Sequence, residues 1–181
     1  MIARGNHEEI MAYIAEHGLV SKAEIDFIKR GNHEEIMDYI RKQSYAFVNT
    51  GAALIERGNH KEIMARVTEN GLDDQGSEAL VTRGNHEEIM AYFKEHGHLS
   101  DEAQHFLLKR GNHEEIMTYI RKHEPISREF EVSLLLRGKH EEIMAFLEFW
   151  YFDDGEYLLL QRGNKEEIRA QNAMKRKEGL I

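Results

Sequence analysis

Arg110-Gly111-Asn112-His113-Glu114-Glu115-Ile116-Met117 is the stretch whose reading decides the fold. The same octad, exact or nearly so, begins at Arg4, Arg30, Arg57, Arg83, Arg110, Arg137 and Arg162, with successive starts 26, 27, 26, 27, 27 and 25 residues apart. Self-similarity at a period in the twenties identifies a repeat architecture rather than one central core. Each residue of the octad suits a helix boundary. Glycine is the residue that ends a helix most readily in the left-handed conformation, having no Cβ to clash. Asparagine is a strong N-cap, and a glutamate three residues later has the spacing of a capping box. Paired acids in a first helical turn are favoured by the helix dipole. Arg-Gly-Asn therefore reads as a corner between two helices, in Arg30-Gly31-Asn32-His33 as in Arg110-Gly111-Asn112-His113. The arginine is expected to bond the last carbonyls of the incoming helix or to pair with an acid of a neighbouring copy.

Outward from the octad, apolar residues recur at fixed offsets. Two and three places before each arginine stand Phe27/Ile28, Leu54/Ile55, Leu80/Val81, Leu107/Leu108, Leu134/Leu135 and Leu159/Leu160. After it, Ile36, Met37 and Ile40, or Ile116, Met117 and Ile120, form one helical face, widened by Tyr13, Tyr39, Tyr92, Tyr119 and Phe146. The pattern predicts leading helices near 21–29, 47–56, 77–82, 100–109, 128–136 and 155–161. Octad helices are predicted near 7–17, 33–42, 60–69, 86–96, 113–123 and 140–149. At the start of the first leading helix, Ser21-Lys22-Ala23-Glu24 has capping-box spacing. No pair can bury its apolar face alone, so the pairs must stack. The expected fold is all-α, an α-solenoid of tandem ~26-residue antiparallel helix pairs forming a single repeat domain over residues 1–181. Copy one lacks a leading helix, which leaves Ile10, Met11 and Ile14 for a second chain to cover. In copy seven, Arg169, Gln171 and Asn172 replace apolar residues and suggest a polar cap.

This plan resembles the α-solenoid class that includes HEAT, armadillo, tetratricopeptide and ankyrin repeats. The resemblance covers nearly the whole chain but lies in architecture; the ankyrin Thr-Pro-Leu-His string and the tetratricopeptide pattern are absent. What it implies is a binding surface or scaffold, by analogy of fold.

Composition narrows the function classes. The absence of cysteine excludes disulfides and thiolate chemistry. No signal segment and no run of roughly 18 apolar residues is found, which favours a cytoplasmic, membrane-free protein. A net charge of −9 disfavours a general nucleic-acid binder and leaves an acidic nucleic-acid mimic as an alternative. The histidines His7, His33, His60, His86, His113 and His140 invite a metal reading. The metalloprotease pattern, however, needs a second histidine where Met11, Met37, Met64, Met90, Met117 and Met144 stand. Adjacent rungs of such a ladder, about 9–10 Å apart by helix packing, cannot share one ion without other ligands. Repeated acid pairs are first-turn residues rather than acid/base machinery, which needs two carboxylates in different environments. No metal, no cofactor and no catalytic constellation is expected.

What remains is unrepeated. Phe149-Trp150-Tyr151-Phe152 holds the only tryptophan, and Trp150, Tyr151 and Phe152 make a candidate hot spot for a protein partner, set against plain packing beneath the last copy. Arg41, Lys94 and Arg121 occupy a position that varies between copies while the corner stays fixed. The reading reached is a non-enzymatic scaffold that recognises another protein. The alternatives are an acidic nucleic-acid mimic or nucleic-acid-associated repeat protein, and a homo-oligomer built through copy one.

Overall fold

A computed structural model describes residues 21–42, 50–122 and 126–181. Within them lie twelve helices and no strand. Leading helices are α1 (Ser21–Arg30), α3 (Thr50–Arg57), α5 (Asp74–Arg83), α7 (Asp101–Arg110), α9 (Arg128–Arg137) and α11 (Glu156–Arg162). Octad helices are α2 (His33–Lys42), α4 (His60–Glu69), α6 (His86–Glu95), α8 (His113–Arg121), α10 (His140–Leu147) and α12 (Lys165–Lys177). The chain is all-α, a tandem array of helix pairs, with each described corner where the octad places it. The half-unit of copy one, including Ile10, Met11 and Ile14, falls outside the described residues.

Two compact units divide the chain, Met1–His96 and Gly97–Ile181. In the first, α1 packs on α3 and α3 on α5, while α2 packs on α4 and α4 on α6. The second repeats this plan, with α7, α9 and α11 in one row and α8, α10 and α12 in the other. Like therefore stacks on like. The apolar offsets explain it: residues before the arginine and residues after it meet in the seam between the rows. Phe27, Ile28, Ile36, Tyr39, Ile40, Ala53 and Leu54 form one such cluster. In the second unit, Leu107, Leu108, Ile116, Tyr119, Ile120, Phe130 and Leu134 are buried likewise. Fully burying one such side chain is worth about 1.5–3 kcal/mol, so stacking supplies what a helix of about three turns lacks by itself.

Several boundaries differ from expectation. α5 begins at Asp74 rather than Ser77, because Asp73 accepts a hydrogen bond from the Gly76 amide and caps the helix three residues earlier. α3 and α5 approach closely there: a Cβ on Gly51 would lie 3.2 Å from the Gly76 Cα. Leu160 is 54% exposed, unlike Leu108 and Leu135 at the same offset. Those two lie under a later leading helix of their unit, and α11 has none after it. Gln171 does not face outward. It is buried, accepting a bond from the Phe152 amide at 2.9 Å and donating to the Phe152 carbonyl at 2.7 Å.

The corners take two forms. Gly58, Gly111, Gly138 and Gly163 adopt φ values of 76°, 79°, 77° and 68°, the left-handed region expected of a helix-ending glycine. Gly84 does not; its φ is −62° and ψ 154°. There Glu88 closes a full capping box, Asn85 Oδ1 accepting from the Glu88 amide and Glu88 Oε2 from the Asn85 amide, both at 3.0 Å. Asn32 and Glu35 make the same reciprocal pair, at 2.9 and 3.0 Å. Where the glycine is left-handed, the glutamate is used differently.

Candidate functional site

The second glutamate of the octad is the centre of each corner. Glu62, Glu115, Glu142 and Glu167 show no residual exposure. A carboxylate in such a place requires donors, since an unpaired buried charge is strongly disfavoured. Its own octad supplies one: Arg57 Nε lies 2.9 Å from Glu62 Oε2, and Arg110, Arg137 and Arg162 pair with Glu115, Glu142 and Glu167 at 3.0, 2.9 and 3.1 Å. The preceding copy supplies another. His33 Nδ1 lies 3.0 Å from Glu62 Oε1, His60 Nδ1 2.8 Å from Glu88 Oε1, and His113 and His140 stand 2.9 Å from Glu142 and Glu167.

The guanidinium does a second job. Arg57 Nη1 donates to the Ile28 carbonyl at 3.0 Å, and Arg137 donates to the carbonyls of Leu108 and Gly111 at 3.3 and 2.7 Å. Arg162 repeats this on Leu135 and Gly138, at 3.3 and 3.1 Å. These are the orphan carbonyls ending the preceding leading helix, where positive charge also meets the dipole. The arginine thus pairs with the acid of its own octad and bonds the carbonyls of the preceding copy. Both partners of Arg57, Arg137 and Arg162 thus differ from expectation, while Arg83 keeps an acid of the neighbouring copy.

Arg83 departs from this set. It reaches Glu56 at 3.7 Å on the exposed surface while Glu88 closes its capping box. The outer glutamates Glu87, Glu141 and Glu166 stay exposed and approach His60, His113 and His140 Nε2 at 3.5, 3.9 and 3.4 Å. At the sixth corner Lys139 replaces asparagine and makes no side-chain cap bond. Together the corner residues, Arg30, Gly31, Asn32 and His33 as well as Arg110, Gly111, Asn112 and His113, sit at the helix junctions of their units.

Electrostatics follow from this geometry. The hydrogen bond to Glu167 is the main reason the His140 imidazole is held above its ordinary pKa. Burial by itself would raise Glu167, but Arg162 and His140 outweigh it and hold the carboxyl below the usual range. Among the described residues, no group of three or more His, Cys, Asp or Glu is placed to hold a metal ion. Among the same residues, no helix is long and apolar enough to cross a membrane.

The unrepeated aromatic stretch separates into two kinds of residue. Phe152 is fully buried and stacks on Phe146 with ring centroids 4.3 Å apart. It belongs to the core and cannot meet a partner directly. Trp150 and Tyr151 are half-buried. With Phe149, Phe146, Met174 and Ile126 they line a cavity of about 460 Å³ whose other walls are Glu131, Asp153 and Glu178. Arg41, Lys94 and Arg121 are exposed near the ends of α2, α6 and α8. Arg41 Nη1 lies 3.6 Å from Asp38, and Lys94 Nζ lies 3.7 Å from Glu95.

Two buried polar positions escape a reading by periodicity. Arg66 occupies the place of Tyr39, Tyr92, Tyr119 and Phe146 in its octad helix, yet it is buried, and Nε and Nη2 have no partner. Burial lowers its pKa, against the opposing charges of Asp73 and Glu24. Glu24 and Glu131 share a second register, six places before the arginine, with Gln104. Burial pushes both carboxyls up to about 7. The departure from the aromatic pattern at residue 66 was the available signal; nothing local marked Glu131.

No protein-family model matches the chain, and no curated protein or solved structure does either.

Proposed function

We propose that the chain is a non-enzymatic scaffold of the α-solenoid class that binds a protein partner through residues differing from copy to copy. One observation carries this reading: at the described corners built like that of Arg137, the arginine, the histidine and the inner glutamate of the octad are spent on holding copies together. Arg137, His113 and Glu142 bond one another or the backbone of an adjacent copy. Glu142, fully buried between its two donors, has nothing left for a ligand. Among the residues that differ from copy to copy, Arg41, Lys94 and Arg121 are exposed and Trp150 and Tyr151 half-buried, within reach of a partner. Trp, Tyr and Arg are the residues that dominate binding hot spots.

Affinity capture with the folded chain, followed by titration of the recovered partner, tests the reading. The partner is expected to bind the native chain and to bind at least tenfold more weakly when Arg41, Lys94, Arg121 and Trp150 are replaced by alanine with the helical melt retained. Recovery of no protein, or turnover of a substrate, overturns it.

A second reading has one observation of its own. In the second unit three successive copies present Glu114, Glu141 and Glu166 as exposed carboxylates, a spacing of negative charge that could occupy a basic groove. If the chain is such a mimic, it displaces duplex DNA from polylysine at low salt; failure to do so removes this reading.

A further inference from the structure

We infer that the cavity beneath Trp150 and Tyr151 is a receptor for a cationic side chain, a lysine or arginine of a partner protein. The inference deepens the scaffold reading above and rests on it for the nature of the partner.

The walls are of two kinds. Phe146, Phe149, Trp150 and Tyr151 supply aromatic surface, with Phe146–Trp150 and Phe149–Trp150 centroids 5.4 and 5.6 Å apart. Glu131, Asp153 and Glu178 supply three carboxylates, and no lining residue among those described is basic. Aromatic faces carry negative potential and attract ammonium and guanidinium groups, most strongly where water is excluded. A cavity of about 460 Å³ falls in the roughly 300–1,000 Å³ range of ligand pockets, ample for one side chain.

Glu131 decides the charge of the occupant. Its Oε2 is buried and without a hydrogen-bond partner. Two described cations nearby are committed elsewhere: Arg128 Nε lies 3.0 Å from Asp154, and Lys175 Nζ bonds Glu156 at 2.7 Å. Lys175 also stands 5.9 Å from the Tyr151 ring centroid, so one face of this aromatic group already carries a cation. At the same register in the preceding copy stands Gln104, whose Oε1 accepts from the Ser127 amide at 2.8 Å while Nε2 donates to the Leu99 carbonyl. A neutral amide therefore fits this position and satisfies the neighbouring loop. A carboxylate there leaves one oxygen unmatched, and a cation in the cavity would match it. Burial raises Glu131 first, and the charges of Asp153 and Asp154 add to this while the Asp153 backbone and Arg128 oppose it. A seated cation would reverse that balance.

Trp150 is the only tryptophan and lines the cavity, so its emission reports occupancy. The native chain is titrated with acetyl-Gly-Arg-Gly-amide, acetyl-Gly-Lys-Gly-amide and the norleucine analogue. The expected result is a saturable emission change with the two cationic peptides, at least tenfold weaker or absent with norleucine. Glu131→Gln should weaken the cationic peptides at least tenfold and leave the norleucine response unchanged.

Norleucine binding as tightly as arginine overturns the inference, as does the absence of any saturable change, and both are read on the native chain. Unchanged affinity in a folded Glu131→Gln variant overturns it too. Should capture find a partner that binds Glu131→Gln as well as the native chain, the cavity assignment falls and the scaffold reading stands. Should no partner be found, the scaffold reading falls, and the peptide titration still decides the cavity.

Discussion

His140 Nδ1 lies 2.9 Å from Oε1 of Glu167, a carboxylate with no exposed side-chain surface belonging to the next copy of the octad. A carboxylate oxygen accepts, so the imidazole donates from Nδ1. Its Nε2 stands 3.4 Å from Glu166 on the other side, and the arrangement is best satisfied by the imidazolium.

The pH dependence follows from the two shifts. His140 is raised above 6.5, so its contribution is fully present below 6.5 and lost as pH rises through the folded value. Glu167 is lowered below 4.5, so its contribution is present above 4.5 and lost as pH falls through the folded value. Between about pH 4.5 and 6.5 both are in place. His140→Gln should therefore lower Tm more at pH 5.5 than at pH 8.5. An equal drop at the two pH values would count against the pairing.

Lys139 is an omission that can be repaired. Asn112 and Asn164 accept from the amides two and three residues on, and Lys139 does not. Its ammonium lies 3.7 Å from Glu142 and is 44% exposed, a pair of small value. Lys139→Asn should raise stability by about 1 kcal/mol, the usual worth of an N-cap, read as a rise in denaturation midpoint. A fall would mean that the lysine contributes more to Glu142 than the cap is worth.

Gly138 and Gly163 form a matched pair. Both are left-handed, at φ 77° and 68°. A Cβ at Gly138 would lie 2.6 Å from Arg162 Nη1, whereas at Gly163 nothing lies within 4 Å. Gly163→Ala should cost about 1–2 kcal/mol from backbone strain alone. Gly138→Ala should cost more, because the guanidinium must leave the Gly138 and Leu135 carbonyls. Equal midpoints for the two variants in urea would show that this contact contributes nothing.

Glu131 should behave as a destabilising charge in the unliganded chain. With its folded value raised to about 7, the native state holds a proton that the unfolded chain releases above 4.5, so stability falls as pH rises through this interval. Glu131→Gln should raise Tm at pH 8 and leave it nearly unchanged at pH 4.5. A variant with lower Tm at pH 8 would indicate that the ionised carboxylate is satisfied by a group other than those described.

The octad made the corners legible because capping is local: Asn112 and Glu115 are three residues apart, and any chain with that spacing has the option of a cap. The buried pairs Leu107/Leu108 and Leu134/Leu135 followed from helical period in the same way. What could not be read was anything decided across copies. Whether Glu88 serves its own asparagine or Glu115 serves Arg110 depends on the conformation of the preceding glycine, and the same eight residue types support both. The reach of Arg137 to the Leu108 and Gly111 carbonyls appears only once two copies are stacked. Gln171 reads as a polar surface residue because its bonds go to Phe152, nineteen positions away and beside the aromatic cavity. Arg66 stood in plain view, out of step with four aromatic counterparts, and periodicity passed over it.

Each described bond between octads joins one copy to the one directly before it, as Arg162 is bonded to the Gly138 carbonyl and His140 to Glu167. Such a rule makes copies interchangeable as bricks: a gene could gain or lose a whole period by unequal recombination, and every surviving neighbour would still find its complement. Length then becomes a quantity that selection can adjust in single steps, independently of whatever each brick displays on its outer side.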